Sequence, residues 1–206
     1  MSEEEKRARA ELWSQSLVAF REAVSQKPMP GCGAAAVVSA DLGLALVLKG
    51  LYLGQQHERR APRAILIDEG ESLKQRLSPL ADEDVVAFEG FTRALSLPKE
   101  PAGQRRDALH RAALEAIRVP LETARLCQAA LSLAIRALLH TEKQFIGDAL
   151  AGGRLLHAAL HSVLGNVDAN AGALDDDQAR QDAERERQRL ADESDRLLSM
   201  LLKAPA

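Results

Sequence analysis

The sequence predicts an all-α protein, a single-domain bundle of six to eight helices. Apolar residues recur at three- and four-residue spacings along most of the 206 residues, and no alternating apolar and polar stretch is long enough for a strand. Aromatic residues make up 3% of the chain and hydrophobic residues 46%. Leucine and alanine must therefore fill the core, as they do between closely spaced helices, and a chain of this length supports one such core.

The first helix is predicted over residues 3–25, and its apolar stripe consists of Leu12, Trp13, Leu17, Phe20 and Val24. A passage rich in proline and glycine, residues 27–33, ends this helix, because neither residue type continues a helix well. The small apolar residues that follow predict a buried central helix over 34–54. A glycine-rich turn that leads into a helix leaves backbone N–H groups free and allows a ligand or another backbone to approach closely.

A basic link, residues 57–63, separates the central helix from a leucine-rich stretch over 66–95. Pro79 lies inside that stretch and predicts either a kink or two abutting helices. Residues 97–103, with two prolines and a glycine, predict a loop.

Four further helices complete the predicted bundle. Two of them run over 105–118 and 120–139, where proline at 120 suits a first helical turn, and the third runs over 143–164. The C-terminal segment, 175–206, is a charged helix that three acidic residues cap at its start. Such charge is typical of a solvated face, but three residues seven apart predict a narrow packing seam: Ala183, Leu190 and Leu197.

Charge and cysteine content exclude several function classes. The formal net charge is −3, whereas a general nucleic-acid binder needs a clear basic excess. Cys32 and Cys127 form no disulfide framework, which fits a reducing cytoplasm. The acidic N-terminus lacks the apolar region of a signal peptide, and Asp41 and Lys49 interrupt the apolar run from Ala34, so no membrane span is expected. We expect a cytoplasmic protein with neither a membrane nor a nucleic-acid partner.

One carboxylate stands at the edge of an apolar helix face. Asp84, Phe88 and Phe91 are spaced i, i+4 and i+7, which places them on one side of a helix. Desolvation there would raise the pKa of Asp84 towards the range that acid–base catalysis uses. The alternative interpretation is a first-turn carboxylate after Pro79 that the helix dipole stabilises.

Two asparagines, Asn166 and Asn170, share a helix face if the preceding helix extends that far. Asparagine is a poor residue for a helix interior, so this pair indicates polar recognition of a ligand. The alternative is a helix C-cap and turn before Gly172. Both interpretations fit the sequence.

Cysteine and histidine give weaker signals. Cys32 at a helix N-terminus has the position of an activated thiol, but no base stands beside it in sequence, and a small packing residue is the alternative. His157 and His161, four apart, have the spacing of two metal ligands. No third ligand has a diagnostic spacing and no Glu-x-x-His pair is present, so no metal site is predicted.

Several short motifs occur together in one order along residues 12–170. They are Pro30-Gly31-Cys32-Gly33-Ala34-Ala35-Ala36, Asp84-Val85-Val86-Ala87-Phe88, Leu97-Pro98-Lys99, Val119-Pro120-Leu121, Gly147-Asp148 and Asn166-Val167 with Asn170. In this order they resemble the cyclodeaminase/cyclohydrolase family, which comprises the C-terminal domain of formiminotransferase-cyclodeaminase and bacterial methenyltetrahydrofolate cyclohydrolases.

The resemblance implies an all-helical homodimer that binds a tetrahydrofolate derivative in a groove near the subunit interface, with no further cofactor. The family's catalytic aspartate falls on Asp84, and the lysine of its Leu-Pro-Lys loop falls on Lys99. Candidate substrate-binding residues are Gly31, Cys32, Gly33, Arg59, Arg60, Asp148, Asn166 and Asn170. Arg59 and Arg60, with Arg63, are candidates for the glutamate carboxylates of a folate, and a solvated basic link is their alternative interpretation.

Three departures from the family pattern stand out. Cys32 replaces the middle glycine of the turn, Thr141-Glu142 replaces a Gly-Asn pair, and Gly147 replaces a serine. The first functional hypothesis is hydrolysis of 5,10-methenyltetrahydrofolate to 10-formyltetrahydrofolate in one-carbon metabolism. The second is a formiminotetrahydrofolate cyclodeaminase that releases ammonia. The third, which the departures favour, is a folate-binding or scaffold protein that has lost the reaction.

Overall fold

The computed structural model describes residues 12–98, 102–174 and 176–204. Over these ranges the chain forms seven α-helices, two short 3-10 turns (Leu12–Ser14 and Lys143–Phe145) and no strand. In chain order the helices are α1 (Leu17–Gln26), α2 (Cys32–His57), α3 (Ala61–Leu77), α4 (Leu80–Leu95), α5 (Ala102–Leu138), α6 (Ile146–Ala171) and α7 (Asp177–Lys203). The predicted all-helical class is confirmed.

The α2 helix is the centre of the bundle and packs most extensively along α6. Gly43 and Gly152 make that packing close: a Cβ atom on Gly43 would lie 2.8 Å from the Gly152 carbonyl oxygen, and one on Gly152 would lie 2.3 Å from the Gly43 oxygen. Leucines without solvent exposure surround this crossing: Leu44, Leu51, Leu131, Leu156, Leu160 and Leu164. Burial of this apolar surface is the main force that holds the bundle together.

By length and composition, α2 is also apolar enough to cross a membrane. However, 61% of its most apolar 18-residue segment is buried inside the fold. Asp41, which interrupts the apolar run, is buried as well and accepts a hydrogen bond from the Ser78 hydroxyl at 2.7 Å. These features are those of a core helix.

Pro79 separates two abutting helices, which settles the choice that the sequence left open. It stands between α3 and α4 in helical conformation, and the chain begins a new helix at Leu80. The N-terminal 3-10 turn is bound to this junction: the Trp13 indole N–H donates to the Ser78 carbonyl at 2.9 Å, and the Leu12 N–H donates to Asp82 Oδ1 at 3.1 Å.

The prediction of a continuous first helix over 3–25 was wrong within the described residues. A 3-10 turn ends at Ser14, and Ser16 caps the N-terminus of α1 by accepting a hydrogen bond from the Ala19 N–H. Ser16 competes with the helix by bonding to nearby backbone, which is why serine starts helices. Of the predicted apolar stripe, Leu12 is buried, whereas Trp13, Leu17 and Val24 are exposed.

The prediction of two helices over 105–118 and 120–139 was also wrong. Pro120 lies inside one helix, α5, that runs from Ala102 to Leu138. The proline cannot supply the N–H that would bond to the Ala116 carbonyl. The side chain of Asn170 supplies the donor instead, with Nδ2 at 3.1 Å from the Ala116 oxygen. A side chain of a neighbouring helix thus provides the hydrogen bond that the Ala116 carbonyl would otherwise lack.

The charged helix α7 packs on α5 and α6 through its predicted seam. Ala183, Leu190 and Leu197 are all buried, and Asp176 caps the helix by accepting hydrogen bonds from two backbone N–H groups. Its arginines pair with carboxylates on the solvated side, as Arg187 does with Asp168 of α6. The helix is therefore an integral part of the bundle.

Candidate functional site

A cavity of about 270 Å³ lies where the N-terminus of α2 meets α4, the middle of α5 and the C-terminal part of α6. Its wall combines the Pro/Gly passage, one carboxylate, two phenylalanines and two asparagines. The lining residues are Pro28, Met29, Gly31, Cys32, Gly33, Asp84, Ala87, Phe88, Phe91, Ala116, Pro120, Asn166, Ala169 and Asn170. Four separate sequence motifs therefore meet in one place.

Asp84 is held against the first turn of α2. The Ala34 N–H donates to Asp84 Oδ2 at 3.0 Å. A Cβ atom on Gly33 would lie 2.0 Å from Asp84 Oδ1, so only glycine leaves room for the carboxylate. The N-terminus of a helix has free N–H groups and a partial positive charge, and both favour a carboxylate at this point.

Burial dominates the ionisation of Asp84. Desolvation raises the pKa of this carboxyl above its ordinary value of 3.8, and the hydrogen bond from Ala34 opposes the rise. A carboxyl with a raised pKa exchanges protons more readily near neutral pH, which suits a general acid or base. The structure thus places a titratable group in a half-apolar cavity, which agrees with the first of the two interpretations that the sequence left open.

The remaining polar groups of the cavity come from α2 and α6. The Cys32 thiol donates to Asn166 Oδ1 at 2.8 Å. Because α6 extends to Ala171, Asn166 and Asn170 do share one helix face. Asn170 uses one N–H of its Nδ2 for the Ala116 carbonyl, so a part of its role is structural, and its Oδ1 and second N–H are left for a ligand.

Three predicted site residues lie at the opposite end of the bundle. Arg59 and Arg60 follow the C-terminus of α2, a helix about 39 Å long at 1.5 Å per residue. Asp148 is in the first turn of α6, about 27 Å along the helix from Asn166. Within one chain, none of the three lines the Asp84 cavity. Lys99 lies outside the described residues.

Charged residues at that opposite end have structural partners. Asp148 accepts a hydrogen bond from the Lys49 ammonium group at 2.8 Å, and Arg60 pairs with Glu58. Arg63 is buried and donates to the carbonyl oxygens of Glu58 and His140. Arg63 therefore joins the segments that follow α2 and α5. It is neither a solvated residue of the link nor exposed for a folate carboxylate, the two roles considered for this basic cluster.

Two of the departures from the family pattern also lie away from the cavity. The Thr141 methyl group lies 2.5 Å from the place that a Cβ on Gly50 would take. The Glu142 carboxylate lies 3.1 Å from His57 Nδ1 and accepts a hydrogen bond from the Gln144 side chain, and neither of these residues lines the cavity. Gly147 has open space around its Cα. Within one chain, Cys32 is the departure that reaches the cavity.

A groove that sequence reasoning missed adjoins the cavity. It has a volume of about 670 Å³, runs between α4 and α5, and shares Ala87 with the cavity. Its floor is apolar, and Arg93, Arg111 and Arg118 are among its lining residues. Arg118 is held by Glu83 and Glu115. The signal in the sequence is weak, since these arginines are spread over two helices.

Comparison with known proteins agrees with this arrangement. The model of one protein family, described as formiminotransferase-cyclodeaminase, matches residues 16–189 of the chain. The chain belongs to this family. The resemblance that the ordered motifs indicate is thereby confirmed, and the match spans the motifs from the Pro/Gly passage to Asn170.

Two curated relatives and one solved structure are similar to this member of the formiminotransferase-cyclodeaminase family. Methenyltetrahydrofolate cyclohydrolase of Methylorubrum extorquens is 32% identical over 159 residues, 74% of this chain and 76% of that protein. Formimidoyltransferase-cyclodeaminase of Sus scrofa is 35% identical over 111 residues, 50% of this chain but only 20% of that longer protein. Both names are those of enzymes.

The crystal structure of formiminotetrahydrofolate cyclodeaminase from Thermotoga maritima superposes on the chain with a TM-score of 0.84. The superposition covers 94% of this chain and 96% of that one, at 22% sequence identity. The family member described here therefore has the same helical fold as that structure.

Proposed function

We propose that the protein hydrolyses 5,10-methenyltetrahydrofolate to 10-formyltetrahydrofolate. The observation that carries the proposal is Asp84: a part-buried carboxylate with a raised pKa, held at a helix N-terminus inside a half-apolar cavity. Family membership and the 32% identical methenyltetrahydrofolate cyclohydrolase support the same reaction.

The chemistry requires little beyond a carboxylate. The methenyl bridge is an amidinium-like cation, so its carbon is already electrophilic, and the negative charge of Asp84 favours binding of the cation. Asp84 takes a proton from an attacking water, and the water oxygen bonds to the bridge carbon to give a neutral carbinolamine. The same carboxyl then delivers the proton to N5 while the bond between the bridge carbon and N5 breaks, and the carbinolamine hydroxyl releases its own proton to solvent as the C=O bond forms, which leaves the formyl group on N10.

The cavity offers recognition for the pterin end. Phe88 and Phe91 supply an apolar wall for a flat ring, and the Asn166 side chain and the Asn170 Oδ1 supply amide groups for its polar edges. Gly31 and Gly33 allow the ring to approach the backbone closely. Cys32 competes for Asn166 Oδ1, and we propose that the ligand replaces this contact.

The adjoining groove offers a place for the rest of a folate. An aminobenzoyl ring fits its apolar floor, and Arg93 and Arg111 at its lining suit the glutamate carboxylates. This assignment replaces Arg59 and Arg60 as receivers within one chain, because both lie at the other end of α2. Lys99, which follows α4 by four residues, remains our proposal for the group that orients water or stabilises the tetrahedral oxygen.

We also propose a cytoplasmic homodimer without a cofactor. An exposed apolar stripe on α2, which contains Leu42, lies beside exposed Leu155 on α6, and these helices pack along each other. The stripe continues to Cys32 and Asn166 at the cavity edge. A second copy seated on this surface, here named the α2/α6 face, would cover the apolar residues and would place the cavity at the subunit boundary.

Cyclodeaminase activity is the second candidate, because the Sus scrofa relative bears that name. Both reactions place one carboxylate beside the same carbon bridge. Ammonia release from 5-formiminotetrahydrofolate measures this activity directly and separates the two candidates.

The deciding experiment follows the loss of methenyltetrahydrofolate absorbance above its uncatalysed rate. We expect wild-type activity, and a loss of about 10²-fold or more in kcat for Asp84→Asn. Asp41→Asn is the matched control, because Asp41 is also buried, also has a raised pKa and lies outside the cavity; its activity should stay near that of wild type. Absence of wild-type activity in both assays would overturn the enzyme proposal, and equal loss in both variants would remove Asp84 from its special role.

A further inference from the structure

Three side chains outside the cavity converge on one point between α6 and α7. His157 and His161 stand one turn apart on α6, and Asp195 comes from α7. His157 Nε2 lies 2.7 Å from Asp195 Oδ1, and His161 Nε2 lies 3.0 Å from the same oxygen. One ligand atom from each residue lies within 4.8 Å of the other two.

The sequence provided only the histidine pair and no third ligand at a diagnostic spacing. Helix packing supplies that ligand, because the seam of α7 brings residue 195 onto the histidine face of α6. We propose that His157, His161 and Asp195 bind a divalent transition-metal ion, with Zn²⁺ the best match. The ion would link α7 to α6, at a site that shares no residue with the Asp84 cavity.

The geometry needs only a small adjustment. Zinc bonds of about 2.0–2.2 Å in a tetrahedral arrangement hold ligand atoms about 3.4 Å apart. The Asp195 oxygen would therefore withdraw by roughly half an ångström from the two nitrogens. Its side chain is 62% exposed, against 22% for His157 and 36% for His161, so the carboxylate is the ligand with the most room to move.

The ligand set selects the class of metal. Two imidazole nitrogens and a carboxylate suit zinc and neighbouring transition metals, whereas Mg²⁺ and Ca²⁺ prefer oxygen ligands alone. Three protein ligands leave a fourth position for water. Arg196, the next residue on α7, is paired with Glu193.

The nitrogen of His161 that would bind the ion also faces a hydroxyl, which would move aside when the ion binds. The buried Ser194 hydroxyl lies 3.2 Å from His161 Nε2 and donates to the Ala191 carbonyl. The rival interpretation is a purely hydrogen-bonded His–Asp–His link between the two helices. Both interpretations use the same contacts, so the test must measure the metal itself.

The test uses the full chain after treatment with a chelator. Titration with Zn²⁺ in a calorimeter should show one ion per chain, and Co²⁺ should give the visible ligand-field absorption of a low-symmetry site. Zn²⁺ should also raise the Tm, reversibly with chelator. Asp195→Asn and His161→Gln should each weaken Zn²⁺ binding at least about tenfold, while both keep groups that can hydrogen-bond across the helices.

His57→Gln is the matched control, because His57 pairs with the carboxylate of Glu142 but, among the residues that the structure describes, belongs to no group of three possible metal ligands. It should leave Zn²⁺ affinity and the Co²⁺ spectrum unchanged. Absence of stoichiometric binding in the wild type would overturn the proposal in favour of the hydrogen-bonded link. Binding that survives His161→Gln and Asp195→Asn would overturn it as well, since the ion would then lie elsewhere.

Discussion

Asp84 combines two properties that conflict in an ordinary surface carboxylate. It is desolvated enough for its pKa to rise, and it still accepts a backbone hydrogen bond from Ala34. Desolvation disfavours the charged form, while the N–H group stabilises it. The fold thus keeps a carboxylate in a place where its ionised form is costly, which is common at sites that carry out chemistry.

The pH dependence of stability should report this cost. A carboxyl whose pKa is raised by folding stabilises the fold fully below its unfolded pKa, about 3.9, and this contribution is lost as the pH rises through the folded pKa. Asp84→Asn keeps an acceptor for the Ala34 N–H but cannot ionise. We expect it to be at least as stable as wild type at pH 7, with a difference that grows between pH 4 and pH 7 in urea unfolding.

Asp68→Asn is the control for that measurement, because Asp68 is exposed on α3. It should show no comparable pH-dependent difference. If Asp84→Asn were less stable than wild type across this pH range, the ionised carboxylate would be a net stabilising group, contrary to the argument from desolvation.

Gly33 is the second residue on which the site depends. Gly33→Ala places a methyl group 2.0 Å from Asp84 Oδ1, so either the carboxylate or the start of α2 must move. We expect a loss of about 1–3 kcal/mol in the free energy of unfolding and a loss of activity of about tenfold or more, since roughly 1 Å of misplacement is costly. Gly147→Ala, with nothing within 4 Å, should change neither quantity by a comparable amount.

At the scale of helices, Pro120 and Asn170 act as one unit. The proline leaves the Ala116 carbonyl of α5 without its helical donor, and the α6 asparagine replaces that donor. We expect Asn170→Ala to cost about 1–3 kcal/mol in the free energy of unfolding, because a part-buried carbonyl loses its partner. In a Pro120→Ala background the new N–H can bond to Ala116, so the cost should fall.

A double-mutant cycle by chemical denaturation measures this coupling, expected at about 0.5–3 kcal/mol. Asn166→Ala is the control, since Asn166 bonds to Cys32 and not to Ala116; its effect should add to that of Pro120→Ala. Additivity of Asn170→Ala with Pro120→Ala would mean that the hydrogen bond contributes little.

The elements that the sequence predicts well are those with strong local signals. Pro79 separates two helices, and the acidic cap and the seven-residue seam of α7 are present. The helix boundary predicted at Pro120 was wrong because the first-turn preference of proline is a local rule. The asparagine that makes this proline tolerable inside a helix lies 50 residues further along the chain. The proximity of Gly33 to Asp84 is likewise a tertiary contact, and no periodicity or residue spacing in the sequence indicates it.

At the scale of the whole molecule, the bundle separates two ends. One end holds the Asp84 cavity. The other holds the buried Arg63, the Lys49–Asp148 pair and the His57–Glu142 pair. The resemblance implied that Arg59, Arg60 and Asp148, which lie at this second end, serve the same site as Asp84. Within a single chain this is not so, because α2 and α6 are long antiparallel helices. Their lengths keep the Asp84 cavity at one end tens of ångströms from Arg59, Arg60 and Asp148 at the other.

The α2/α6 face makes a prediction about assembly. We expect wild type to sediment at twice 22.3 kDa, and Leu42→Lys to shift it towards the monomer, because a buried unpaired charge is strongly disfavoured in an interface. Leu42 is 50% exposed in the single chain. Leu139, which is 77% exposed in the turn after α5, provides the control Leu139→Lys. A wild-type monomer at micromolar concentration, or a dimer unaffected by Leu42→Lys, would contradict this assignment of the interface.

The cysteine that replaces glycine at the cavity edge has a practical consequence. Cys127 is fully buried, and burial raises the pKa of its thiol to about 12, whereas Cys32 is exposed beside Asn166. A thiol-alkylating reagent should therefore reach one cysteine of the folded chain, and only while nothing occupies the cavity. The alkylation rate, read from the mass of the intact protein, therefore measures the fraction of protein whose cavity is occupied, whether or not any ligand is turned over.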